Sequence, residues 1–334
     1  VNEPDISKQD LDKNILLDRP FRSLLGIAGL SREDLVFLIQ NAEQMAEVLQ
    51  RDIRKVPTLR GRTVINAFLE PSTRTRVSFE IAAKRLSADA INISASGSSM
   101  SKGETLFDTI STLQAMVPDV VVLRHEASGA AHFLAKALPD VAIVNGGDGM
   151  HEHPTQALLD VLTLKQHYGS LPQDGRIVAI IGDVLHSRVA RSNVLAHLLL
   201  GNKVRLVGPP TLVPKELESS FGDDKSSVEV HHELSRGIYG ADVVMCLRMQ
   251  KERMHGHFVP DLDEYSRNYG ISQRVLKNYA PDAVVMHPGP MNRGVEITTD
   301  VADSSKSLIT NQVTSGIAVR MAVLHVLIAS KAFK

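Results

Sequence analysis

The chain has one cysteine, almost no net charge and no long uninterrupted apolar run, and each shortage removes a class of protein. With Cys246 alone, an intramolecular disulfide and a cysteine-built zinc site are both excluded, which fits a reducing compartment. Cys246 lies in the apolar run 243–247 and reads as a buried strand residue. Lys and Arg number 37 against 38 Asp and Glu, a net charge of −1, so no overall field favours nucleic acid or an anionic membrane. Small molecules and other protein chains are the expected partners. Residues 1–19 lack the apolar centre of a secretory signal. The late apolar segment 317–329 is interrupted by Arg320 and His325 and falls short of the ~20 residues a bilayer span needs. A soluble, cytoplasmic chain is expected, with no membrane and no nucleic-acid partner.

What is present is α/β patterning. At 334 residues and 43% hydrophobic, the chain has length for two lobes, each with its own core. After a polar stretch of about 20 residues, Ser31 caps a helix whose apolar face runs through Leu35, Leu38, Ile39, Ala42 and Leu49. Strands are expected at 64–69, 90–93, 120–123 and 142–145, with helices after Ser72 and over 105–116. A second series has strands at 177–181, 203–207, 243–247 and 284–286 and a helix over 187–200. A helix over 154–167 lies between the two series, and a last helix covers about 315–330. This alternation predicts an α/β fold of two lobes, each a mainly parallel sheet flanked by helices.

The chemistry gathers after the strands. Pro71-Ser72-Thr73-Arg74-Thr75-Arg76 sits where a strand turns into a helix, so hydroxyls, guanidinium groups and the positive helix end meet. Ser72 alone reads as an ordinary cap; three hydroxyls around an arginine favour a phosphate cradle. Arg124 and His125 follow another strand, His153-Pro154-Thr155-Gln156 a third, and His287-Pro288-Gly289-Pro290 a fourth. Open α/β sheets place ligands at the carboxyl ends of their strands, so a shared site explains the repetition better than four structural loops.

In that order these motifs resemble the transcarbamoylase family, from about Phe21 to the C-terminus. Ser98 to Thr105, with Lys102-Gly103-Glu104, and Arg248-Met249-Gln250-Lys251-Glu252-Arg253 resemble its aspartate-specific branch. The resemblance implies transfer of the carbamoyl group of carbamoyl phosphate to the amine of L-aspartate, giving N-carbamoyl-L-aspartate and phosphate for pyrimidine synthesis. It implies no metal and no organic cofactor. It also implies an arm at 1–20, a carbamoyl-phosphate-binding domain at 21–153 plus 310–334, an aspartate-binding domain at 154–309, and an active site between the lobes.

Carried over residue by residue, Ser72, Thr73, Arg74, Thr75 and Arg124 would hold the phosphate. Thr75, Arg124 and His153 would donate to the carbamoyl oxygen, so Arg74, Thr75, Arg124 and His153 are the catalytic candidates. Gln156 and the backbone carbonyls of Gly289 and Pro290 would accept from the carbamoyl NH₂. Arg188 would take the α-carboxylate of aspartate and Arg248 the β-carboxylate, with Gln250 beside them. Glu70 would position arginines, while Arg191 reads as a solvated helix face. Ser98 and Lys102 would come from a neighbouring chain, Lys102 touching both phosphate and aspartate, which implies a homotrimer with shared sites. The arm before Phe21 reads as a mobile arm or a docking segment; members with such arms often dock a dihydroorotase-like chain, active or inactive, which would give a dodecamer of six catalytic and six partner chains. Gly289 departs from relatives with leucine there, but only its carbonyl is needed.

Three rivals fit less well. The ornithine branch usually carries a His-Cys-Leu-Pro loop, and Lys102 and Arg248 favour an anionic substrate. A nicotinamide-dependent dehydrogenase would want G-x-G-x-x-G after Ile181, which is missing. A regulatory binder without catalysis would not need every catalytic position filled. The close pairs His151/His153, His231/His232 and His255/His257 have no third and fourth ligand at metal spacing.

Overall fold

A computed structural model of the chain describes residues 22–94, 103–172, 175–221, 227–249 and 261–331; the arm at 1–20 lies outside them. Contacts divide the chain into two compact units. Unit 1 comprises Val1–Leu25, Gln40–Asp148 and Ile317–Lys334, and unit 2 comprises Gly26–Ile39 and Gly149–Gly316.

Unit 1 is built on four parallel strands, β1 (Thr63–Phe68), β2 (Asp89–Ser94), β3 (Val120–His125) and β4 (Ala142–Asp148), in the order β2-β1-β3-β4. Ile65, Ala67, Val121, Leu123 and Ile143 pack on one face against Ile110 and Leu113 of the helix Leu106–Gln114 and Leu134 of the helix Ala130–Ala137. The alternate residues Val64, Val120, Val122 and Val144 are just as deeply buried. Burial on both faces is why these strands read as continuous apolar runs rather than alternating ones. Periodicity did not signal the helix Ala130–Ala137. It is only 8 residues long and begins after Gly129, whose φ of 84° suits glycine.

Unit 2 holds five parallel strands, β5 (Ile177–Ile181), β6 (Lys203–Val207), β7 (Val228–His231), β8 (Val243–Cys246) and β9 (Val284–Met286), in the order β7-β6-β5-β8-β9. Val178, Ile180, Val243 and Met245 pack on one face with Ala190 and Val194 of the helix Arg188–Leu199. Ala179, Ile181, Val244 and Cys246 pack on the other with Ile238 and Leu276. Cys246 is thus a buried strand residue as expected, and burial raises its thiol pKa. β7 escaped the sequence reading because it has four residues, two of them the half-exposed Glu229 and His231.

Helix ends follow their caps. Ser31 and Asp34 cap reciprocally, the Asp34 N–H donating to Ser31 Oγ at 3.1 Å and the Ser31 N–H to Asp34 Oδ2 at 2.9 Å. Ser187 Oγ accepts from the Ala190 N–H at 3.1 Å and starts the helix that opens with Arg188. The last helix, Ile309–Lys331, begins before the expected residue 315. Its 23 residues make it long and apolar enough, by length and composition, to cross a membrane, so the shorter stretch read in the sequence understated it. Most of it is buried within the protein instead. Arg320, inside it, donates to Ser78 Oγ at 2.9 Å and lies 5.2 Å from the Phe79 ring centroid, contacts of a core helix.

His197, fully buried in the helix Arg188–Leu199, lies 3.2 Å through Nδ1 from the Asn202 amide nitrogen. Burial lowers its pKa from 6.5 to about 4. A histidine held neutral in the fold takes up its proton more readily when unfolded, so stability is lost as pH falls from about 6.5 towards 4. The loss should approach ~3 kcal/mol at the acid end. Comparing urea unfolding of the native chain and His197→Gln at pH 7 and pH 4.5 checks this: the variant should lose less stability on acidification, and equal losses would refute it.

Candidate active site

In unit 1, β1 is flanked by β2 on one side and β3 on the other, so successive connections leave the sheet in opposite directions from β1. The crevice at such a reversal, at the strands' carboxyl ends, is where open α/β sheets bind ligands. Phe68 at the end of β1 is in register with Arg124 near the end of β3, and the Leu69 N–H donates to the Arg124 carbonyl at 2.9 Å. The turn 69–72 and Arg124 therefore share one sheet edge.

Ser72 occupies the N-cap position of the helix Thr73–Arg85 in extended conformation, as expected, but its hydroxyl makes no capping bond. The first turn contains no acidic residue, and the Arg76 N–H is bonded to the Ser72 carbonyl at 3.4 Å. An acid-free helix start concentrates the positive end of the dipole, and Arg74 and Arg76 add full charges. Thr75 is buried, whereas Thr73 and Arg74 are exposed. Arg124 is buried and its guanidinium is held by two acceptors, the Gly146 carbonyl at 3.1 Å and Glu70 Oε1 at 3.2 Å. Glu70 thus forms the ion pair with an arginine that the sequence suggested.

Unit 2 carries the other groups. His153 caps the helix Pro154–Tyr168 with its backbone held by Ser192: the His153 N–H donates to Ser192 Oγ at 2.9 Å. Ser192 Oγ donates to Glu152 Oε2 at 2.9 Å, and the same carboxylate accepts from the Ile27 N–H at 2.6 Å and the Ala28 N–H at 3.3 Å. Glu152 is buried, and a Cβ on Gly26 would collide with its carboxylate, so residue 26 must be glycine for the loop to sit this close.

One turn further along the helix, Gln156 Nε2 donates to Asp160 Oδ1 at 3.0 Å. Gln312 Nε2 donates to the same oxygen at 2.7 Å, while Gln312 Oε1 accepts from the His287 N–H at 2.9 Å. In the following loop the Gly289 N–H donates to His287 Nδ1 at 2.8 Å, so the proton of the neutral ring sits on Nε2, 3.1 Å from Glu296 Oε1. His287 bonds within the loop, and Gly289 has φ 67°, a conformation that glycine adopts without steric cost.

The second sheet reverses its connections at β5, and its site candidates stand at that reversal too. Arg188 follows β5, is buried, and donates from Nη1 to the Gly149 carbonyl at 3.2 Å. Arg248 follows β8, whose Cys246 is in register with Ile181 of β5. The turn before Arg188 is pinned by Asp183 Oδ1, which lies 2.8 Å from His186 Nδ1. Arg191, read as solvated, is only half-exposed.

Two descriptions of one family cover this chain. The aspartate/ornithine carbamoyltransferase carbamoyl-P binding domain matches residues 22–166, and the aspartate/ornithine carbamoyltransferase Asp/Orn binding domain matches residues 174–327. The chain belongs to the aspartate/ornithine carbamoyltransferase family. The aspartate carbamoyltransferase catalytic subunit of Magnetococcus marinus is 56% identical over 308 residues, covering 91% of this chain and 92% of that one. Among solved structures, aspartate transcarbamoylase from Trypanosoma cruzi in complex with carbamoyl phosphate and aspartate is similar with a TM-score of 0.82 and 32% identity, covering 92% of this chain and 97% of that one. Ornithine carbamoyltransferase from Pyrococcus furiosus gives a TM-score of 0.81 at 27% identity, covering 93% and 98%.

Within this carbamoyltransferase fold, Ser98, Lys102 and Gln250 lie outside the described residues, as do His255 and His257. His231 and His232 are spent on protein partners, Glu229 Oε2 at 3.0 Å and the Val213 carbonyl at 2.9 Å. Motif reading missed Glu152, Asp160 and Gln312. Asp160 had a signal, an acid four residues after Gln156 inside the apolar run 157–164, where it faces Gln156 one turn away. Gln312 had none, because only the fold brings it to Asp160.

Glu152→Gln replaces one acceptor oxygen by an NH₂ that faces existing donors. It should lower stability by about 1–3 kcal/mol, read as a lower midpoint in thermal unfolding. An unchanged midpoint would show that the loop 26–28 does not depend on this carboxylate.

Proposed function

We infer that this chain transfers the carbamoyl group of carbamoyl phosphate to the amine of L-aspartate, giving N-carbamoyl-L-aspartate and phosphate, a step of pyrimidine biosynthesis. The observation that carries the choice of aspartate is the pair of arginines, Arg188 and Arg248, at the carboxyl ends of adjacent strands β5 and β8. Two carboxylates call for two guanidiniums; the cationic side chain of ornithine would be repelled by them.

The labour divides by domain. A carbamoyl-phosphate-binding domain, read as 21–153 plus 310–334, holds the phosphate through Ser72, Thr73, Arg74, Thr75 and Arg124. An aspartate-binding domain, read as 154–309, supplies the acceptors for the carbamoyl NH₂, which are Gln156 Oε1 and the carbonyls of Gly289 and Pro290. It also supplies Arg188 for the α-carboxylate and Arg248, with Gln250, for the β-carboxylate. Because Asp160 holds Gln156 Nε2, the other end of the amide is the acceptor that an NH₂ donor needs.

The uncharged amine of aspartate attacks the carbamoyl carbon and a tetrahedral intermediate forms with negative charge on the carbamoyl oxygen. Thr75, Arg124 and His153 donate to that oxygen, stabilising charge only as it develops. The C–O bond to phosphate then breaks, and a phosphate oxygen takes the amine proton, so no side-chain base is required. Ser98 and Lys102 complete the site from a neighbouring chain of a homotrimer, and the arm at 1–20 docks a dihydroorotase-like partner. A cytoplasmic location suits such a biosynthetic enzyme.

Incubating the purified chain with carbamoyl phosphate and a panel of amino acids should yield N-carbamoyl-L-aspartate and phosphate. Product from ornithine and none from aspartate would overturn the assignment. His153→Ala should reduce kcat by roughly 10²–10³, the loss typical of one oxyanion donor, with a smaller change in carbamoyl phosphate binding. Mixing Arg74→Ala and Lys102→Ala chains should restore activity that neither has alone; no recovery would reject shared sites.

A further inference from the structure

Asp160 is a fully buried carboxylate in the middle of the helix Pro154–Tyr168. It accepts from three side-chain amides: Gln156 Nε2 at 3.0 Å and Gln312 Nε2 at 2.7 Å on Oδ1, and Asn193 Nδ2 at 2.9 Å on Oδ2. An ionised carboxylate only accepts, so it orders every amide around it with nitrogen inward and oxygen outward. Gln312 shows the consequence, for its outward Oε1 receives the His287 N–H at 2.9 Å. Gln156 is turned by the same rule, and its oxygen points away from Asp160.

We propose that Asp160 is a positioning residue for recognition of the carbamoyl NH₂: it sets the polarity of the Gln156 amide and, through Gln312, anchors the loop 287–290 that carries the other acceptors. This deepens the reading of Gln156 and the Gly289 and Pro290 carbonyls as acceptors and rests on it. A glutamine amide is nearly symmetric in shape, so without a fixed partner it could present its own NH₂ to the substrate NH₂. One buried charge removes that choice for Gln156 and ties the remote loop to the same reference point.

The role predicts selectivity rather than general affinity. Acetyl phosphate has a methyl group where carbamoyl phosphate has NH₂ and is otherwise nearly the same shape. A site whose acceptors are correctly turned discriminates strongly against the ligand that leaves them unpaired. In Asp160→Asn the new NH₂ can sit against Gln156 and reverse its amide, so the preference for carbamoyl over acetyl phosphate should fall by about tenfold or more, through weaker carbamoyl phosphate binding.

The test measures Kd for both acyl phosphates by titration calorimetry on the full-length native chain, D160N, Gln156→Met and Gln312→Met. A fall in the preference for D160N, with acetyl phosphate binding nearly unchanged, supports the proposal. Equal weakening of both ligands means a purely structural role and overturns it. If Gln156→Met leaves the preference intact, the underlying reading of Gln156 fails; if Gln156→Met loses it and D160N keeps it, only the role of Asp160 fails. Should D160N not fold, Gln312→Met decides: it keeps Asp160 but cuts the tie to the loop 287–290, and its preference must also fall. Adding Gln156→Glu to D160N restores an acceptor facing outward and should recover part of the preference, whereas no recovery counts against amide polarity as the cause.

Discussion

Parallel strand order is the constraint from which the candidate site follows. All pairings in the two sheets are parallel, so within each sheet every strand delivers its following loop to the same edge. Each sheet then reverses its connections at its first strand, β1 in one and β5 in the other. The loops beside those reversals are pushed apart and leave room for a ligand. Ser72 to Arg76 and Arg124 border one reversal, Arg188 and Arg248 the other. The candidate groups for a phosphate and for a dicarboxylic acid therefore stand at the positions the topology leaves open.

The segments that carry His153, Gln156 and His287 are held by buried carboxylates as well as by apolar packing. Glu152, Asp160 and Glu296 are each buried, and burying an ionised group is costly unless donors surround it. Glu152 is surrounded by backbone N–H groups and Ser192 and Asp160 by three amides, while at Glu296 the Asn292 N–H and His287 both meet Oε1 and Oε2 has no hydrogen-bond partner among the described residues. Removing any one donor leaves the remaining charge less well paired, which makes these arrangements stiff. With Gln156 as the proposed acceptor, stiffness has a use, because a carbamoyl group offers two N–H donors where an acetyl group offers a methyl.

The sequence and the structure agree where a signal is local. The strands β5 and β6 have the bounds that their apolar runs suggested, and Ser31 caps where expected, because burial pattern and capping are decided within a few residues. Glu70 as an arginine partner was also legible, although only the sheet shows that the partner is Arg124, 54 positions away. Shorter elements with mixed patterns, β7 and the helix Ala130–Ala137, did not reach the length at which periodicity becomes readable. The last helix starts earlier than its most apolar part because Gln312 and Ser315 are buried polar residues satisfied by Asp160 and Gln166.

By itself the sequence determined the α/β class and the motifs and their order, because residue types and local spacing carry them, and the reaction followed from the family those motifs resemble. The tertiary structure decided what holds those motifs. Asp160 and Gln312 are 152 positions apart and meet in one hydrogen bond. Glu152 reaches across to Ile27 over 125 positions. A hydrogen bond is specified by distance and direction in space, and a linear chain states neither until it has folded.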